Sequence, residues 1–173
     1  RQVVKWAFNA AFERICLSAW LHRHHPEFMT GRRFLDPAQW HCTMVWSAYL
    51  GLPMSLEQVA TALDLPVRKD SAGKKLIRQF CTPATPSVFN LGGMRNPPAS
   101  DPDGWEQFIS YNRRDVEVEL AIHDRLADFP LPASEWDTYA LDQNVNDTGI
   151  RLDRVLVDHA VACDRQHRAT TLA

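Results

Sequence analysis

Apolar and polar positions follow two periods along this chain. Residues 3–8, Val-Val-Lys-Trp-Ala-Phe, mix β-branched and aromatic side chains in a short run, which predicts a buried strand. Over residues 10–24 the apolar positions Phe12, Ile15, Cys16, Ala19 and Trp20 recur at helical spacing, and Pro26 helps to end the segment. The chain therefore passes from strand into helix at Asn9. Glu13 falls in the first helical turn, where the helix dipole favours an acid. Residues 31–39 read as loop. Residues 40–50 read as a second apolar helix, closed by Gly51 and Pro53. Ser55-Leu56-Glu57-Gln58 has the form of a capping box opening a third helix, with Leu56, Val59, Ala60 and Leu63 inward. Residues 70–80 form a basic helical pattern with Lys74, Lys75 and Arg78. Residues 83–102 are rich in Pro, Gly, Ser and Asn, a long loop of the kind that tends to be functional or mobile.

The longest periodic segment covers residues 105–126 and ends before Pro130 and Pro132. At about 100° per residue, Trp105, Phe108, Ile109, Val116, Val118, Leu120, Ile122 and Leu126 fill one broad arc of a helical wheel. Glu106, Arg113, Arg114, Glu117, Asp124 and Arg125 fill the other. Tyr111 lies at the edge of the apolar arc. Asp115, four residues on and so its neighbour on the helix surface, lies inside it. A carboxylate among apolar contacts costs several kcal/mol unless an Arg, a hydrogen-bond network or a metal partners it. Glu119 shares this arc, with no motif to claim it. Beyond residue 130, Ser134-Glu135-Trp136-Asp137 has the form of another capping box, Gly149 fits the residue after a helix end, and a last amphipathic helix starts near Asp153. The proline-rich stretch at residues 129–133 is the best domain boundary, giving segments 1–130 and 131–173.

Composition narrows the class. The 173 residues are 45% hydrophobic and 23% charged, the balance of a globular protein with one core of ordinary size. No apolar run reaches the roughly 18–20 residues that span a bilayer. A net charge of −2 gives no global attraction to nucleic acid, so any such surface must be a local basic patch or a bound metal. Cys16, Cys42, Cys81 and Cys163 form no C-x-x-C pair, and each sits among apolar residues, as expected of reduced core thiols. Trp6, Trp20, Trp40 and Trp46 are expected in the core. His22, His24 and His25 are expected to mark a polar helix end. The competing reading is a small zinc module made from His22, His24, His41 and Cys42.

Asn9-Ala10-Ala11-Phe12-Glu13 just past a strand, and Tyr111-Asn112-Arg113-Arg114-Asp115 far downstream on a helix, together resemble the second and third motifs of a proofreading 3′–5′ exonuclease. The match is to the DEDD type, in its tyrosine-containing subclass, as found in family A DNA polymerases of the phage type. Supporting flanks are Trp6 to Arg14, Cys42-Thr43-Met44 ahead of Gly51-Leu52-Pro53, and Ser71-Ala72-Gly73-Lys74-Lys75-Leu76-Ile77. Asn146-Asp147-Thr148-Gly149-Ile150-Arg151-Leu152-Asp153 is similar to the junction where such enzymes pass from exonuclease into polymerase.

The resemblance implies an α/β fold of the ribonuclease H-like exonuclease class, with an incomplete sheet and mostly helical, over residues 1–130. Residues 131–173 would be the helical start of the polymerase region. It implies two divalent ions, Mg²⁺ or Mn²⁺, about 3.5–4 Å apart, which stabilise the attacking and leaving oxygens of phosphodiester hydrolysis. Asp115 and Glu13 would be metal-binding and catalytic. Tyr111 would orient the attacking water. Asn9 would shape the strand-to-helix turn or touch substrate. Lys74, Lys75, Arg78 and Arg114 would contact DNA phosphates, helped by Lys69 and Arg113, with Phe80, Phe89 and Trp105 available to stack on unpaired bases. The expected partners are a single-stranded DNA 3′ end and the rest of a polymerase chain, with no membrane, in the cytoplasm of a bacterium or phage-infected host. The family's first motif, an Asp-x-Glu strand, is not found upstream of Asn9. The chain therefore reads as an N-terminally truncated fragment, inactive alone. Glu13 stands where Asp is common, a change that a bridging water absorbs. The rival is a non-catalytic nucleic-acid-binding or scaffolding domain of the same fold with decayed chemistry.

Overall fold

The computed structural model describes residues 3–29, 31–66, 73–83 and 94–171. The fold is mostly helical, around a two-stranded parallel sheet, and so of the α/β class. Strand β1 (Lys5–Ala7) leads through Asn9 into α1 (Ala10–His24), which crosses over to β2 (Trp40–Cys42). The strands pair in parallel with Lys5 opposite Trp40, Trp6 opposite His41 and Ala7 opposite Cys42. A parallel pair requires such a crossover. Strand β2 is a correction to the sequence reading, which expected one helix over residues 40–50. A short apolar run satisfies either element, and the first three residues are drawn into the sheet. The helix α2 (Thr43–Tyr49) follows directly.

Next come α3 (Leu56–Ala62), α4 (Gly73–Cys81), α5 (Pro102–Leu126), α6 (Ala133–Thr148) and α7 (Arg154–Thr171). Ser55 stands at the start of α3, but its side chain makes no capping bond, so the expected box is not formed. Helix α6 begins one residue before Ser134, with Pro132 in the cap position. Gly149 ends α6 at φ +70°, a left-handed conformation suited to glycine, and its N–H donates to Val145 O. The Asp153 carboxylate accepts from the Leu156 N–H at 3.1 Å, capping α7. Of the expected basic helix, residues 70–72 lie outside the described residues, as do Lys69, Phe89 and half of the expected loop, residues 84–93.

Helix α5 is the spine. Val118, Ile122 and Leu126 pack with Trp46, Val59, Ala60, Leu65 and Leu131 into the main core. Ile109, Val116 and Leu120, expected on the inner arc, face outward at 47%, 48% and 58% exposure. The buried stripe is narrower than the apolar arc, and it includes Tyr111. At the start of α5, the Asp101 carboxylate accepts from the Gly104 N–H at 2.9 Å and from Gln79 Nε2 at 2.6 Å, fastening α4 to the helix cap.

Helix α1 reverses its expected face. Its buried residues are Ala10, Arg14 and Ser18, while Phe12, Ile15 and Trp20 are exposed. The polar stripe is satisfied inside the protein. Arg14 donates to Asp147 through both terminal nitrogens and to Leu35 O at 3.0 Å. Ser18 donates to Arg14 O at 2.6 Å and accepts from Leu35 N at 2.9 Å. A buried guanidinium with such partners outcompetes hydrophobes for the interior position. Cys42 is buried as expected, but Cys16, Cys81 and Cys163 are exposed because the outer faces of α1, α4 and α7 carry them.

Candidate functional site

The strand-to-helix turn determines where Glu13 goes. Asn9 adopts φ 73°, ψ 48°, a left-handed conformation that asparagine tolerates better than most side chains. Its side chain makes no capping bond, and its carbonyl accepts from Phe12 N at 2.9 Å. One turn later Glu13 emerges on the α5 side of α1. Its edge is exposed, yet enough protein surrounds the carboxyl that burial raises its pKa. Its own backbone N–H opposes the rise and the charge of Glu119 adds to it.

Glu119 is half-buried on α5. Burial raises its pKa as well, opposed by Thr43 Oγ1, which donates at 3.1 Å, by the Phe8 backbone N–H, and by His123. One turn earlier on α5, Asp115 is half-buried, with Oδ1 closed to solvent. One turn before that, Tyr111 is buried at 6% exposure. Its ring stacks with Phe108 at 6.3 Å and lies in a cluster with Leu76 and Phe80 of α4. Tyr111, Asp115, Glu119 and His123 thus form a series at four-residue spacing.

The structure brings Glu13 within reach of the charge of Glu119 on α5 and leaves Asn9 exposed on the turn before α1. It places Tyr111 in the seam with α4. Lys74, Lys75 and Arg78 lie exposed on the outer side of α4. Arg114 is exposed and pairs with Glu117 at 3.0 Å, which offsets part of its charge. Phe80, a candidate for base stacking, is 5% exposed and fills the α4–α5 seam, with the half-buried Trp105 edge-on to it at 5.1 Å. Trp20, expected in the core, is 49% exposed and lies beside His24 and His25.

Glu119 is the residue that motif reading passed over. Its signal was present: it follows Asp115 by one helical turn on the same arc. Among the described residues, no three His, Cys, Asp or Glu side chains gather as a metal-binding group. The histidines of the zinc alternative are otherwise engaged. His22 Nε2 bonds Arg33 O at 2.8 Å, and His41 stacks on Trp136 at 4.0 Å. The oxygen donors Glu13, Asp115 and Glu119 suit a hard divalent cation chemically. No described helix is long and apolar enough to cross a membrane.

No family model matches the chain, and no solved structure matches it. A curated relative does. Over 172 residues, 99% of its length, the chain is 46% identical to a protein of Bacillus phage SP02 named DNA polymerase, an enzyme. The chain spans about a quarter, 25%, of that relative's length. It is thus similar, almost from end to end, to one stretch of a phage DNA polymerase.

Proposed function

We propose that the chain is a segment of a DNA polymerase and carries the later part of its 3′–5′ proofreading exonuclease on a ribonuclease H-like fold. Residues from about 131 onward begin the polymerase region. The observation that carries this reading is the approach of the two motif-bearing elements: the Asn9 turn leads to Glu13, whose carboxyl feels the charge of Glu119, one helical turn beyond Asp115 on α5. The similarity to a phage DNA polymerase supports the polymerase part of this reading. The parent protein acts on single-stranded DNA 3′ ends in the cytoplasm of a bacterium or a phage-infected host.

In this reading Asp115 and Glu13 hold divalent metal, Mg²⁺ or Mn²⁺, and further carboxylates from the Asp-x-Glu motif complete a two-metal site. The metals, when bound, supply charge stabilisation for the attacking and leaving oxygens. The chain's own residues bind and orient. Tyr111 directs the water with its hydroxyl, Asn9 holds the turn, and Lys74, Lys75, Arg78 and Arg114 attract the phosphate backbone.

The test is Asp115→Ala in the whole polymerase. Loss of 3′-directed degradation of single-stranded DNA with primer extension retained supports the assignment; undiminished degradation sinks it. The 173-residue chain alone is expected to be inactive, and Mg²⁺-dependent 3′-directed degradation by it would overturn that expectation.

A further inference from the structure

Glu119 draws donors from two other elements. Thr43, wholly buried at the first position of α2, donates its hydroxyl to Glu119 Oε1 at 3.1 Å. The backbone N–H of Phe8, just past the end of β1, donates to the same carboxylate. Phe8 precedes Asn9, the left-handed residue that launches α1 and with it Glu13. One side chain therefore ties the turn behind Glu13 to the helix that bears Tyr111 and Asp115. It does so although its charge lies near that of Glu13. Burial and like charge both disfavour the ionised carboxylate, and the two donated hydrogen bonds offset part of that cost.

We propose that Glu119 is a positioning residue: by accepting from Phe8 and Thr43 it holds the Asn9–Glu13 turn in register with the Tyr111–Asp115 face of α5. Its consequence for catalysis rests on the exonuclease reading above; the contact itself does not. Glutamine separates the two possible contributions of this side chain. In Glu119→Gln the carboxamide oxygen accepts from the Phe8 N–H, and the carboxamide NH₂ donates to the Thr43 hydroxyl, which turns acceptor. Glu119→Gln therefore keeps both contacts without the charge, whereas Glu119→Ala loses both.

The experiment compares the two variants in the whole polymerase, reading kcat and KM on single-stranded DNA and amide hydrogen exchange of the peptide covering β1 and Asn9. Glu119→Ala is expected to lower kcat by about tenfold to a hundredfold, the scale of an ångström's misplacement, with little change in KM. It is expected also to speed exchange at Phe8. Glu119→Gln is expected to restore both readouts. A Gln variant as impaired as the Ala variant, or an Ala variant with parental kcat and parental Phe8 exchange, overturns the proposal. A parent enzyme without exonuclease activity overturns the functional reading instead, and Phe8 exchange then decides the contact alone.

Discussion

Arg14 grips both carboxylate oxygens of Asp147, each at 2.8 Å, and joins α1 to the last turn of α6. The arginine side chain is 1% exposed and the aspartate 19%. That difference predicts an asymmetry. Asp147→Ala leaves a guanidinium buried without its counter-charge, a loss of about 3–5 kcal/mol. Arg14→Met leaves an aspartate that water can reach, and should cost less. Urea unfolding of both variants measures this, and equal losses would show that burial of the cation is not what matters.

Gly73 offers a second test. A Cβ at this position would fall within the ring of Tyr111. Gly73→Ala must push α4 away from α5 or turn the tyrosine, an overpacking cost of about 1–3 kcal/mol. A lower Tm is expected, together with impairment of the proposed exonuclease activity in the whole polymerase. An unchanged Tm would mean that the α4–α5 seam is loose.

In the proposed function the lysines of α4 bear on binding rather than stability. Lys74→Ala and Lys75→Ala should weaken single-stranded DNA affinity similarly for all sequences. Each lost phosphate contact should flatten the slope of log affinity against log salt by about 0.7. A slope identical to the parent's would assign both side chains to a solvated helix face.

His41 sets a pH dependence. It stacks on Trp136 at 4.0 Å and meets Trp6 edge-on at 4.7 Å, and burial lowers its pKa below the ordinary 6.5. The folded chain holds the neutral ring, while the unfolded chain takes up a proton near 6.5. Stability from this group is intact above 6.5, declines below it, and is gone once pH passes the folded value. Thermal unfolding across this range should show the decline, and His41→Phe should flatten it. A mutant with the parental pH profile would assign the decline to other groups.

Periodicity made the helices legible: α1, α3, α5, α6 and α7 all lie where the pattern placed them, within a few residues. It did not make their buried faces legible. Phe12, Ile15 and Trp20 looked like the inner stripe of α1, but the stripe is Ala10, Arg14 and Ser18, because Asp147 and Leu35 O supply partners that no local pattern reveals. Strand β2 escaped for a related reason: pairing with β1 decides it, and that partner lies 35 residues upstream of Trp40 at Lys5. In the candidate site, Asn9, Glu13, Tyr111 and Asp115 were visible as motif residues. Glu119 was visible only as one more acid on a broad arc, until Thr43 and Phe8 were seen to converge on it.

The four-residue spacing of Tyr111, Asp115, Glu119 and His123 along α5 has a geometric consequence. Four residues turn a helix by about 400°, so each member points about 40° further round than the one before, and the last about 120° round from the first. The series is a shallow spiral staircase. Its bottom step, Tyr111, opens onto α4. Its third step, Glu119, opens onto the turn that leads to Glu13. Its top step, His123, opens onto Trp6 and Trp46. A single rigid helix thus serves three neighbouring rooms of the protein, and a small rotation about its axis would shift the furniture in all three at once.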